Sequence, residues 1–196
     1  MIQQIMDRRS IRRFRPDPVA REAIEDILQA GILAPSSKNR QPWRFVVAQG
    51  AAKEEALQAM ERGLERERRA PLLPNNTQHI SGAEHTLKIM RQAPTVIFVA
   101  NALGAPLDKP LTPEDRIGEL CNAQSIGAAL ENMSLEAVHL GLGSLWICDT
   151  CFAQEELQAW LGTAGELCAA FAVGYPAESP SARPRMGMES VTEWRG

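Results

Sequence analysis

The run Arg8-Arg9-Ser10-Ile11-Arg12-Arg13-Phe14-Arg15 places five arginines and a serine within eight positions. Guanidinium forks grip phosphate oxygens in pairs, and a serine hydroxyl adds a further donor. Arg8, Arg9, Ser10 and Arg12 are therefore candidates for a phosphate-binding arm, although a solvated basic terminus has the same composition. Near the other end, Arg183 and Arg185 form a second pair that suits a phosphate clamp or a plain charged tail. Residues 34–43, APSSKNRQPW, bracket Ser36, Ser37, Asn39 and Gln41 between Pro35 and Pro42. Such side chains offer donors and acceptors to the edge of a flat polar ring, and they equally suit a polar turn. Residues 141–150, GLGSLWICDT, set two glycines before a β-rich run. Glycine there permits close backbone approach, while a helix C-cap accounts for Gly141 as well.

Other chemistries find less support. Gly141-Leu142-Gly143 lacks the third glycine and the following helix of a dinucleotide fingerprint. Cys148 and Cys151 form a C-x-x-C that suits a redox pair or half of a zinc site. Cys121, Cys168, His79, His85 and His139 lack ligand spacing, so structural cysteines and no metal are expected. G-x-S-x-G, G-K-[ST] and H-E-x-x-H are all absent. With three histidines and one tyrosine, the chain is poor in general acids and bases, and a cofactor should carry any hard step.

These residues need elements to position them. Residues 17–34 read as a helix, with Asp17 as cap, Pro18 in the first turn and Ile24, Ile27, Leu28, Gly31 and Ile32 as one stripe. Residues 43–48 read as a strand. Residues 51–70 are helical in composition and highly charged, so a mostly solvated helix is expected. Residues 71–82 are rich in breakers and read as a loop. Residues 95–100 form a buried strand, and 102–113 form a second long loop of the kind that often binds ligands. Thr112-Pro113-Glu114-Asp115 starts a helix running to about residue 140. Its small residues, Ser125, Gly127, Ala128 and Ala129, suit close approach of another helix in the core or at a dimer seam. Residues 144–148 and 168–174 read as strands, and 154–161 as a short helix with Leu157, Trp160 and Leu161 inward. Met186, Met188, Val191 and Trp194 make the tail too apolar to stay free.

The 196 residues suit a single domain, residues 1–196, with interspersed helices and strands of the α+β or α/β kind. The net charge of −3 argues against general nucleic-acid binding. No apolar run approaches the roughly 18 residues of a membrane span. The N-terminus lacks the apolar core of a signal peptide, and few cysteines suit a reducing cytoplasm.

Taken together, the segments resemble the nitroreductase-like flavoproteins. RRSIRRF resembles the family's R-x-S-x-R motif, and APSSKNRQPWRF its P-S-x-x-N-x-Q-P-W segment. GLGSLWI resembles G-L-G-x-x-W-I, and GYP…ARPR the C-terminal G-Y-P…R-x-R. The resemblance implies an α+β fold with a mostly antiparallel sheet flanked by helices, in an intertwined homodimer with FMN at the interface. It implies that Arg8, Ser10 and Arg12 bind the FMN phosphate and ribityl chain, with the Arg9 backbone near the ring. Arg183 and Arg185 complete the clamp. Pro35, Ser36, Ser37 and Asn39 contact the flavin from the partner chain, and Ile147 and Cys148 lie along the ring near N5. The implied reaction carries two electrons from NADH or NADPH to an electron-poor small molecule such as a nitroaromatic, quinone or flavin, in ping-pong order. The loops near 63–82 and 102–113 would shape the acceptor pocket. Cys148-Asp149 stands where the family often has glycine or Glu-Gly. Reductive dehalogenation, enone reduction or flavin fragmentation on the same scaffold, and a non-enzymatic C-x-x-C redox or metal module, are the competing readings.

Overall fold

The computed structural model describes residues 1–72, 74–106, 109–162 and 165–196. At its centre four strands, β1 (Trp43–Ala48), β2 (Thr95–Asn101), β3 (Gly143–Ile147) and β4 (Glu166–Gly174), form an antiparallel sheet in the order β1-β2-β4-β3. Trp43 pairs with Asn101, Val99 with Ala169 and Ile147 with Ala170. β2 is buried at every position, which explains its continuous apolar run: a central strand covered on both faces has no polar face to alternate with.

The two faces of that strand feed two cores. Val96 and Phe98 join a cluster with Leu57, Met60, Leu87, Met90 and Leu157. Ile97 and Val99 join another with Ile24, Ile27, Ile126, Leu130 and Met133. The period-two alternation of side chains across a strand thus sorts the helices into two layers. α3 (Gly50–Arg69), α4 (Ile80–Gln92) and α6 (Gln154–Leu161) cover one face, and α2 (Arg21–Ile32) and α5 (Pro113–His139) the other. Two short helices, α1 (Gln3–Asp7) and α7 (Met188–Val191), lie near the termini.

Several expectations need correction. α2 starts at Arg21 rather than at residue 17, with Ala20 in the capping position. The Asp17 carboxylate instead accepts from Arg15 at 2.7 Å, and buried Val19 anchors an extended segment. α3 is mostly exposed, as expected, but Ala56, Leu57, Ala59, Met60, Gly63, Leu64 and Glu67 are buried against the core. Its charges hide a narrow apolar stripe, which is enough to dock one helix. Within 71–82 the loop tightens into a 3₁₀ turn at Pro74–His79 before α4 begins; Leu73 lies outside the described residues. So do residues 107–108 of the second loop.

α5 begins with a reciprocal cap. The Asp115 amide donates to Thr112 Oγ1, and the Thr112 amide donates to the Asp115 carboxylate, both at 3.1 Å. Each bond satisfies a backbone donor left orphaned at a helix start. The tail behaves otherwise than expected within one chain: every residue from 181 to 196 is exposed. Among the described residues, no helix is long and apolar enough to cross a membrane.

Candidate functional site

The N-terminal arm is held beside β3 by backbone pairing. Ile11 N–H donates to Ser144 O at 2.9 Å, and Arg15 N–H to Tyr175 O at 2.9 Å. Ala177 N–H returns a bond to Arg13 O at 2.8 Å. The Arg12 amide also donates to the Glu178 carboxylate at 2.5 Å. Buried Ile11 and Phe14 nail the arm down. Gly143 makes room for it, since a Cβ there would sit 2.7 Å from Ile11 Cγ1.

With Ile11 and Phe14 turned inward, Arg8, Arg9, Ser10 and Arg12 line one wall of a cavity of about 280 Å³. The returning tail supplies the opposite wall through residues 180–182, Arg183 and Arg185, and Ile5 and Met6 of α1 close the side. Two motifs more than 170 positions apart thus meet in one pocket.

Hydrogen bonds aim the guanidinium groups without neutralising them. Arg9 Nη1 donates to Met6 O at 2.7 Å and to Arg8 O at 2.8 Å. Arg12 Nη1 donates to Ser10 O at 3.2 Å, and Arg185 Nη1 to Pro184 O at 3.3 Å. Among the described residues, Arg8 alone of the pocket arginines has a carboxylate partner, Glu131 at 3.3 Å. Carbonyls compensate dipole, not charge, so the pocket carries a strong positive excess. A phosphate dianion fits it by charge, fork geometry and size.

The second predicted group lies apart from this pocket. Ser37 N–H donates to Ser125 Oγ on α5 at 3.2 Å, and Gln41 N–H to Ser36 Oγ at 3.1 Å. The loop takes left-handed backbone at Lys38 (φ 52), Asn39 (φ 55) and Gln41 (φ 47). Such non-glycine positions cost about 1–3 kcal/mol each and cluster at ligand sites. Pro35 and Asn39 are exposed, Ser36 and Ser37 half-buried, and none of the four lines the arginine pocket.

At the end of β3, Ile147 is buried and Cys148 exposed. All four cysteines are free thiols. Partial desolvation pushes the Cys148 thiol up, and the Asp149 charge adds to the effect. Cys151 and Cys168 shift the same way, again first through burial. Raised thiol pKa values mean little thiolate at neutral pH, the opposite of a reactive redox pair. Among the described residues, no group of His, Cys, Asp and Glu is arranged to hold a metal ion. Sequence reasoning missed the α1 wall of the pocket and Glu131 as the partner of Arg8. Glu131 is brought to Arg8 from a segment far along the chain, whereas Ile5 and Met6 directly precede the arm.

Comparison with known proteins identifies the family. The sequence profile of the Nitroreductase family matches residues 5–175. The chain is 31% identical over 200 residues to an NADH dehydrogenase of Thermus thermophilus, covering 97% of this chain and 93% of the relative. It is 29% identical to a 5,6-dimethylbenzimidazole synthase of Rhodospirillum rubrum, over 87% of this chain and 79% of that protein. A crystal structure from Desulfovibrio desulfuricans, solved in complex with FMN, superposes with a TM-score of 0.71 at 29% identity. The match covers 99% of this chain and 96% of that one.

Proposed function

The chain belongs to the nitroreductase family, and from that premise we propose that it is an FMN-dependent, NAD(P)H-oxidising oxidoreductase acting on electron-poor small molecules. The observation that carries this reading is the arginine pocket, where the N-terminal arm and the tail present five arginines against the Glu131 carboxylate paired with Arg8 and the Glu178 carboxylate held at the Arg12 amide.

Arg8, Ser10 and Arg12 hold the phosphate and ribityl chain, the Arg9 backbone lies near the ring, and Arg183 and Arg185 complete the clamp. Bound there, FMN supplies hydride chemistry between NADH or NADPH and an acceptor such as a nitroaromatic, quinone or flavin, in ping-pong order. The chain's own groups hold and orient it, and the backbone at Ile147 and Cys148 borders its ring. The connection between α3 and α4 and the segment near 102–113 border the acceptor. With few titratable groups, the protein contributes placement and electrostatics rather than acid–base chemistry.

The site is completed by a second copy. Pro35, Ser36, Ser37 and Asn39 stand on a strained loop outside the arginine pocket of their own chain, so they serve the pocket of a partner. Met186 (75% exposed), Met188 (70%), Val191 (59%) and Trp194 (87%) give the tail an unpaired apolar strip. Ile117 and Leu120 do the same for α5. Apolar area on this scale marks an interface. The negative net charge argues against general nucleic-acid binding.

The test is an absorbance spectrum of the purified protein with and without FMN. Flavin bands that bleach with NADH or NADPH and return with a nitroaromatic or quinone are expected. A colourless protein that takes up no FMN overturns the reading. The dimethylbenzimidazole synthase relative favours a second reading, other chemistry on the same scaffold. Loss of the flavin itself under turnover in air, with dimethylbenzimidazole formed, would select it.

A further inference from the structure

Immediately after β3, the chain enters a 3₁₀ turn, Asp149–Ala153, that is fastened from several sides. Cys151 N–H donates to Cys148 O at 3.3 Å. Arg66 Nη2 on α3 donates to Phe152 O at 3.3 Å. Ala153 abuts Gly63 so closely that a Cβ on Gly63 would lie 2.3 Å from the Ala153 Cβ. The tightest bond is polar: Thr86 Oγ1, on α4, donates to Asp149 Oδ2 at 2.5 Å across 63 positions of sequence.

This last bond is unusual for its parts. A threonine inside a helix ordinarily turns its hydroxyl back to the carbonyl one turn earlier. Thr86 is buried, and its hydroxyl reaches out of its helix to a carboxylate instead. Asp149 directly follows Cys148, the residue that the proposed function sets beside the flavin ring. A carboxylate there acts on any ring that gains negative charge on reduction, and its effect depends on where it is held and how much of its charge is compensated.

We infer that Thr86 is a positioning residue for the flavin: by holding the Asp149 carboxylate it fixes the turn at the ring's edge and sets the ring's readiness to accept electrons. The inference rests on the proposed FMN site. Without the hydroxyl, Asp149 keeps its charge but loses its donor, so reduction of the ring becomes harder. Replacing Asp149 by asparagine removes the charge and makes reduction easier. Neither residue touches the arginine pocket, so phosphate binding is a separate variable.

The test uses full-length protein with FMN and the variants Thr86→Val, Thr86→Ser and Asp149→Asn. The midpoint potential of the bound flavin is measured by dye equilibration, and FMN affinity by fluorescence quenching. Thr86→Val should lower the potential and weaken FMN binding, because the turn that borders the ring is no longer held in place. Thr86→Ser should restore both, and Asp149→Asn should raise the potential. Wild-type potential and affinity in Thr86→Val overturn the inference. So does a variant set in which thermal stability alone moves. If Thr86→Val does not fold, an unchanged potential in Asp149→Asn is the overturning result. Wild-type protein that takes up no FMN overturns both the function and this inference, whereas normal uptake with unmoved potentials overturns the inference alone.

Discussion

An arginine bonded only to backbone carbonyls is aimed and still charged. Arg12 and Arg185 are of this kind, so their removal should cost binding more than folding. A hydrogen bond to a charged group is worth about 1.5–3 kcal/mol. The double variant Arg12→Ala/Arg185→Ala should therefore bind FMN at least about a hundredfold more weakly, while its circular dichroism and melting temperature stay near wild type. Equilibrium titration with FMN reads this directly, and unchanged affinity removes the clamp assignment. The arginines and the serine that share the pocket were legible because residue type and spacing are properties of short segments. Glu131 was not, because a partner on α5 is brought to Arg8 only when α5 packs under the arm.

Elements are joined here by a small charged network. Arg66 Nε donates to Glu156 Oε1 at 2.8 Å, tying α3 to α6, and Arg66 Nη1 donates to Glu67 Oε2 on its own helix at 2.7 Å. Partial burial pushes the Glu156 carboxyl up, but the Arg66 guanidinium outweighs it and leaves the group below its ordinary value. A carboxyl lowered in the folded state adds stability above its unfolded pKa, about 4.3, and that stability is lost as pH falls through the folded value. Urea unfolding of Glu156→Gln should show lower stability at neutral pH and a shallower loss in acid than wild type. Equal acid limbs would mean that the pair is not formed in solution. The same contact surface holds Gly63 against the Ala153 backbone, with a Cβ meeting Ala153 Cα at 2.5 Å. Gly63→Ala should cost about 1–3 kcal/mol through overpacking, despite the better helix propensity of alanine. A variant as stable as wild type in denaturant would show that α3 can shift freely. Such close approach is invisible to propensity, which is why α3 reads from its sequence as a solvated helix.

For the molecule as a whole, the proposed dimer gives the exposed tail a surface to cover. Deleting residues 186–196 spares Arg183 and Arg185 and removes Met186, Met188, Val191 and Trp194. Light scattering should show the dimer dissociating at concentrations where the full chain remains paired. The melting temperature of the full chain should also rise with protein concentration, as mass action requires of a dimer that stabilises its subunits. A full-length chain that is monomeric at every concentration would place the Ser36 and Asn39 loop outside any flavin site.

By itself the sequence determined what is local. It carried the strand at residues 43–48, the α5 start at Thr112, the buried run of β2 and the arginine, proline and glycine motifs, because backbone propensity, capping and alternation act within a few residues. It also reads α2 from the motif of an early cap, which the pairing of Asp17 with Arg15 and the burial of Val19 override. Only the tertiary structure decided that the arm lies along β3 with the tail returning over it. Only there do Arg66 and Glu156 become a bolt between α3 and α6, and Thr86 a donor to Asp149. The reason is physical: these contacts close loops of tens to more than a hundred residues. Their partners are chosen by sheet order, register and close packing, which no single segment encodes.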